Sequence, residues 1–165
     1  MSRFIVDTNV PIVANGRPDA NGSRLPSVEA RLHAICFLKK VLANGRILLD
    51  KEGDIQAEYH RHLNPRGQPG VGDLFYLTVL QSAPRRTERH SLPKRSDGEY
   101  SDLPQEVIDA GFDPSDRKFA ALAKQQSTPV ANATDTDWLH HRPLLRRFGI
   151  TIHFVCGTDR NKWWT

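Results

Sequence analysis

Apolar and polar positions along this chain fall into blocks that predict strands and helices in turn. Residues 3–9, Arg3-Phe4-Ile5-Val6-Asp7-Thr8-Asn9, form a β-branched, apolar run with no room for a helix before it. That predicts a buried first strand ending on a carboxylate. After Val10-Pro11-Ile12-Val13-Ala14, the polar, Gly- and Pro-containing stretch 15–26 predicts a loop. Within residues 28–43, Val28, Leu32, Ile35, Leu38 and Leu42 recur at spacings of three and four, the stripe of an amphipathic helix, with Ser27 as cap and Asn44-Gly45 as stop. Ile47-Leu48-Leu49 within 46–50 is a second strand of short apolar type. A helix over 55–63 would place Ile55, Glu58, Tyr59 and His62 on one face.

The loop expected over 64–72 holds two Pro and three Gly, and Leu74, Leu77 and Leu80 predict a helix over 73–81. Residues 82–111 resist the same treatment. Arg85, Arg86, Arg89, Lys94 and Arg95 cluster there, broken by Pro84 and Pro93, with acids following. The segment reads as an inserted excursion, either a solvated loop or a phosphate-contacting flap, with a short helix over 104–110. Asp113-Pro114-Ser115-Asp116 then opens a helix running to about Gln126: Asp at the cap, Pro in the first turn and an acid three residues past the cap. A strand over 128–133 ends on Thr134-Asp135-Thr136-Asp137, a helical stretch covers 138–148, and 151–155 alternates as a fourth strand. Alternating strands and helices predict an α/β fold, a three-layer α/β/α sandwich with a mainly parallel central sheet. One domain over 1–156, with an excursion at about 64–111, and a basic aromatic tail over 157–165 account for the chain.

Composition narrows the function less than the pattern narrows the fold. The formal charge of +4 favours a polyanionic partner, and the absence of an apolar run of membrane-spanning length or a signal-like start predicts a cytoplasmic protein with no membrane partner. Cys36 and Cys156 are expected to be buried free thiols, and their spacing suggests no zinc site. His60-Arg61-His62 and His140-His141 have no companion zinc ligands, so solvent or phosphate contact is their default reading. There is no Walker-type or Gly-x-Gly-x-x-Gly loop, and Ser or Cys nucleophile motifs are absent. A haloacid-dehalogenase phosphatase would need a second Asp two residues after Asp7, where Asn9 stands.

The acids are more informative. Asp7 and Asp135 follow strands, where open α/β sheets gather ligands, while Glu58 and Asp116 lie on helices that could flank the same edge. Each also has a local explanation: Asp7 as a turn cap, Glu58 pointing to water, Asp113 as a helix cap and Asp116 complementing the helix dipole. If the four converge, mutual repulsion calls for hard cations such as Mg²⁺ or Mn²⁺. With Phe4-Ile5-Val6-Asp7-Thr8-Asn9, Glu58 within 55–59, Asp113-Pro114-Ser115-Asp116-Arg117-Lys118-Phe119-Ala120-Ala121-Leu122-Ala123, and 130–138 in this order, the chain resembles the PIN-domain nucleases, including their VapC-type ribonucleases.

That resemblance implies that Asp7, Glu58, Asp116 and Asp135 are catalytic, metal-binding acids for one or two Mg²⁺ or Mn²⁺ ions. Asp137 falls where the family often has a further acid, and Asn9 and Asp113 would be supporting residues. The implied activity is endonucleolytic hydrolysis of single-stranded or structured RNA. A toxin-antitoxin or defence setting, an inhibitory antitoxin-like protein and a homodimer come with it. A structure-specific DNA nuclease and an inactive PIN-like binding scaffold are the alternatives. Arg85, Arg86, Arg89, Arg142, Arg146, Arg147 and Lys162 are candidates for gripping the nucleic-acid backbone, and Trp163-Trp164 either stack bases or pack the tail on the sheet.

Overall fold

The computed structural model describes residues 1–18, 24–81 and 84–165; residues 19–23 of the loop expected at 15–26, and residues 82–83, lie outside the described residues. Five strands form one parallel sheet: β1 (Ser2–Val6), β2 (Gly45–Asp50), β3 (Thr87–His90), β4 (Val130–Asn132) and β5 (Ile152–Phe154), in the order β3-β2-β1-β4-β5. Helices flank it: α1 (Asn9–Ala14), α2 (Val28–Asn44), α3 (Asp54–His62), α4 (Val71–Leu80), α5 (Gln105–Asp109), α6 (Arg117–Gln126), α7 (Thr136–His140) and α8 (Arg142–Arg147). This is the three-layer α/β/α arrangement expected from the alternation. Among the described residues, no helix is long and apolar enough to cross a membrane.

Topology decides where chemistry can sit. The chain winds outward from β1 through β2 to β3, then returns to lay β4 against the other side of β1 and continues to β5. The winding direction therefore reverses between β1 and β4. At such a switch point the connections leave in opposite directions, which opens a crevice at the carboxyl ends of the two strands. Asp7 follows β1 directly, its N–H bonded to the Ala131 carbonyl of β4 at 3.0 Å, and Asp135 lies three residues past β4.

Three expectations need correction. The segment at about 64–111 is not wholly an excursion, because Thr87-Glu88-Arg89-His90 is β3, paired in register from Ile47↔Thr87 to Asp50↔His90. It has no apolar residue because it is an edge strand, and charged side chains on an edge discourage pairing with another chain. The residues beyond β3 fold down onto α3: Tyr100 donates to Asp54 Oδ2 at 2.7 Å, Lys94 pairs with the same oxygen at 3.0 Å, and Leu92, Leu103 and Val107 join the core. The loop between α3 and α4 is also organised. Asp73 accepts from Asn15 Nδ2 and from the N–H groups of Asn64 and Gly70, drawing α4 so close to α1 that a Cβ at Gly72 would stand 2.1 Å from the Pro11 carbonyl oxygen.

The second correction concerns α2, which buries Ala30, Ala34, Phe37, Leu38 and Val41 and leaves Val28 and Leu32 73% and 54% exposed. Both stripes have helical spacing. Alanines let a helix approach its neighbours closely, and here that geometry outweighs the larger aliphatics on the other stripe. Third, Cys36 is exposed, and only Cys156 is buried, its thiol against the Ala30 carbonyl; both are free. The helical stretch expected over 138–148 divides at His141 into α7 and α8.

Candidate metal centre

Local rules place each acid. Asp7 sits where β1 gives way to α1, whose first turn uses the Asp7 and Thr8 carbonyls as acceptors. Asp113 accepts from Ser115 N at 2.9 Å and, with Pro114, starts a single 3₁₀ turn over Pro114–Asp116 that leads into α6. Asp116 is thereby held at the junction, with its side chain turned inward. Asp135 caps α7 by accepting from Asp137 N at 2.9 Å.

One oxygen from each of Asp7, Asp116 and Asp135 lies within 4.8 Å of the others. Asp7 and Asp116 are only 2% and 4% exposed. Burial first, and then the charges of Asp135 and Glu58, push the Asp7 carboxyl well above its ordinary pKa. Asp116 is raised by burial, then by Asp7 and Asp135. Asp135 is raised chiefly by burial, partly offset by the hydrogen bond from Asp137. The cluster thus holds protons that free carboxylates would lose, unless a cation replaces them.

The donor set fits a hard divalent cation. Three carboxylates offer oxygen alone, the ligand type of Mg²⁺ and Mn²⁺ and not the thiolate or imidazole preferred by softer metals. Among the described residues, Asp116 Oδ2 is buried with no hydrogen-bond donor other than a proton shared with the Asp135 carboxyl, a costly state for a charged oxygen that a bound cation would relieve. The other two acids are oriented by neighbours that leave an oxygen free. Trp138 Nε1 donates to Asp7 Oδ2 at 3.2 Å, and its indole is fixed edge-on to Phe112.

Asn9 ties the two strand ends together. Its Oδ1 accepts from Ala133 N and Thr134 N, and its amide donates to Thr134 Oγ1. Asn132 bridges the backbone N–H and C=O of Asp135. These bonds set the separation of Asp7 and Asp135 without touching either carboxylate.

Glu58 is buried, 6% exposed, and lines the same cleft, but it is not in the three-acid group. Lys118 Nζ stands 2.8 Å from its Oε1, Thr8 Oγ1 donates to its Oε2, and Arg61 approaches at 3.9 Å. A built-in ammonium therefore provides the counter-charge of Glu58. Asp137 also faces elsewhere, accepting from Asp113 N at 2.9 Å and lying 3.1 Å from His141 Nδ1, so it braces the Asp113 turn.

The cleft over the acids has a volume of about 530 Å³, and its cationic lining comes from Arg24, Arg61 and Arg160. The seven basic residues singled out from sequence lie elsewhere. Arg85 and Arg86 precede β3, at the sheet end opposite Asp7, and Arg86 donates to the Val41 and Leu42 carbonyls at the end of α2. Arg89 donates to Gln56, Arg142 and Arg147 lie over Phe154 and Phe148, and Arg146 and Lys162 are exposed outside the cleft. Thr8, Lys118, Trp138 and Arg24 were not singled out from the sequence, whereas Trp164, on which Arg24 stacks, was. Lys118 alone carried a signal, as a cation on a helix that otherwise buries Phe119-Ala120-Ala121-Leu122-Ala123.

Compared with family models, curated proteins and solved structures, the chain matches none of them.

A carboxyl with a raised folded-state pKa keeps a proton that the unfolded chain has lost, so unfolding free energy falls as pH rises from about 4 through the folded value. Metal-free protein should therefore unfold at lower urea concentration at about pH 8 than at about pH 5, and Asp116→Asn should flatten that dependence. Lys118→Met should cost about 3 kcal/mol by leaving Glu58 buried with only the more distant, exposed Arg61 as counter-charge, with much of the loss recovered by adding Glu58→Leu; urea melts of the single and double variants check this.

Proposed function

We propose that this protein is a divalent-metal-dependent endoribonuclease in which Asp7, Asp116 and Asp135 hold a Mg²⁺ or Mn²⁺ ion. The observation that carries the reading is the convergence of three carboxylates, Asp7 and Asp116 buried and Asp135 partly so, at the β1/β4 switch point beneath a cleft with a basic rim. Such an ion supplies Lewis acidity and lowers the pKa of water bound to it. The chain's own residues provide the rest. Trp138 and the Asp137 N–H fix the orientations of Asp7 and Asp135, while Asn9 holds their strands at a set spacing. Lys118 and Thr8 keep Glu58 in place beside Asp7. An acidic floor and cationic walls suit a phosphodiester, whose oxygens can face a bound cation while its flanking charges meet arginine.

The preference for RNA, and for a toxin-antitoxin or defence setting with an inhibitory partner, rests on the resemblance of the acid-bearing blocks to PIN-domain nucleases. Incubation of single-stranded RNA and matched DNA with Mn²⁺ tests the reading. Wild type should cut the RNA internally, and Asp7→Asn and Asp116→Asn should lower the rate by at least about a hundredfold, the scale of losing one charge-stabilising group. Equal cleavage by all three proteins, or none by wild type, would sink the assignment; cutting of DNA alone would move it to a DNA nuclease.

A further inference from the structure

The last nine residues are anchored, one of the two roles the sequence offered for the Trp163-Trp164 pair. Trp163 is fully buried and donates to the Gly157 carbonyl at 3.0 Å, so this indole packs the tail onto the domain. Ser27 N donates to the Trp163 carbonyl at 2.8 Å, Ser27 Oγ to the Lys162 carbonyl at 2.6 Å, and Thr165 N to the Leu25 carbonyl at 3.2 Å. Pro26 and Trp164 form an antiparallel bridge. Trp164, half-buried, is left facing the cleft.

The guanidinium of Arg24 lies 4.6 Å from the Trp164 ring centroid. Stacking on an indole restrains an arginine without using its N–H donors, which stay free for an anion. A second cavity of about 440 Å³ adjoins the cleft over the acids, and Arg24, Arg160 and Trp164 line both. Neither arginine has a carboxylate partner among the ion pairs of the described residues. Asp159, the acid in the second cavity, turns Oδ1 to the N–H of Asn161. Among the described residues, two cations without an ion-pair partner and an aromatic surface are therefore shared by adjoining cavities, one of which is also lined by the acids.

We infer that Arg24, Arg160 and Trp164 form a subsite for the backbone phosphate next to the one lying over the acid cluster, and thereby hold a single strand of nucleic acid across the two cavities. Cationic grooves with interspersed aromatics are the general means of holding a single strand. A single strand leaves its bases free to meet the Trp164 indole, whereas in a duplex they are paired and stacked. The inference rests on the nuclease reading only for what happens over the acids, since the grip itself needs no metal.

Binding of a short labelled single-stranded RNA, followed by fluorescence anisotropy in EDTA over a range of salt concentrations, tests it. Arg24→Ala and Arg160→Ala should each weaken binding and reduce the slope of log K against log salt by about 0.7, the value of one phosphate contact on a single strand. Trp164→Ala should weaken binding in a way that is not additive with Arg24→Ala, and Trp164→Phe should restore most of it; matched melting temperatures guard against misfolding. Arg142→Ala and Arg147→Ala, outside the cleft, should bind as wild type does. Unchanged affinity and slope in both Arg24→Ala and Arg160→Ala, equal affinity for duplex, or no binding by wild type would overturn the subsite. The two readings fail separately. RNA bound with this residue dependence but never cut with Mn²⁺ retires the nuclease and keeps the subsite. Cleavage by Arg24→Ala and Arg160→Ala with wild-type KM and binding does the reverse.

Discussion

Three carboxylates within 4.8 Å of one another, two of them buried and the third partly so, cannot all carry charge without a counter-ion. They must bind protons or a cation. The surrounding fold is built to keep them together in spite of that cost. β1 and β4 meet at the centre of the sheet, Asn9 joins their ends across 124 and 125 residues of sequence, and the 3₁₀ turn after Asp113 swings Asp116 between them. None of these bonds satisfies Asp116 Oδ2. An arrangement that commits so many buried polar contacts to the placing of these acids is consistent with the cation site we propose.

The neighbouring ion pair divides the acids into two roles. Glu58 shares the cleft with Asp7 and raises its pKa, yet its own charge is met by Lys118 and its second oxygen by Thr8. The ammonium does for Glu58 what a cation would do for the triad. It also spares the cleft a fourth uncompensated charge, so that a single ion is enough to neutralise much of what remains.

Much of this was visible in the amino-acid order and some was not. Asp7, Asp116 and Asp135 could be found because each sits at a strand end or helix start that local apolar runs and capping residues mark out. The four apolar strands were legible for the same reason, whereas β3 was not: an edge strand faces water, and Thr87-Glu88-Arg89-His90 has no alternation to read. On α2, two stripes with identical periodicity compete, and only the space available in the tertiary fold selects the alanine-lined one. Lys118 meets Glu58 across 60 residues, and Arg24 meets Trp164 across most of the chain. Cations of this kind acquire roles from tertiary contacts, so clusters of arginine in the sequence pointed away from the cleft.

The central claim is that the triad binds a cation, and a titration of metal-free protein with Mn²⁺, followed by the electron paramagnetic resonance of the free ion, tests it most directly. One saturable site per chain, lost in both Asp7→Asn and Asp116→Asn, is the predicted result. No uptake by wild type, or uptake unaffected by either substitution, would contradict it.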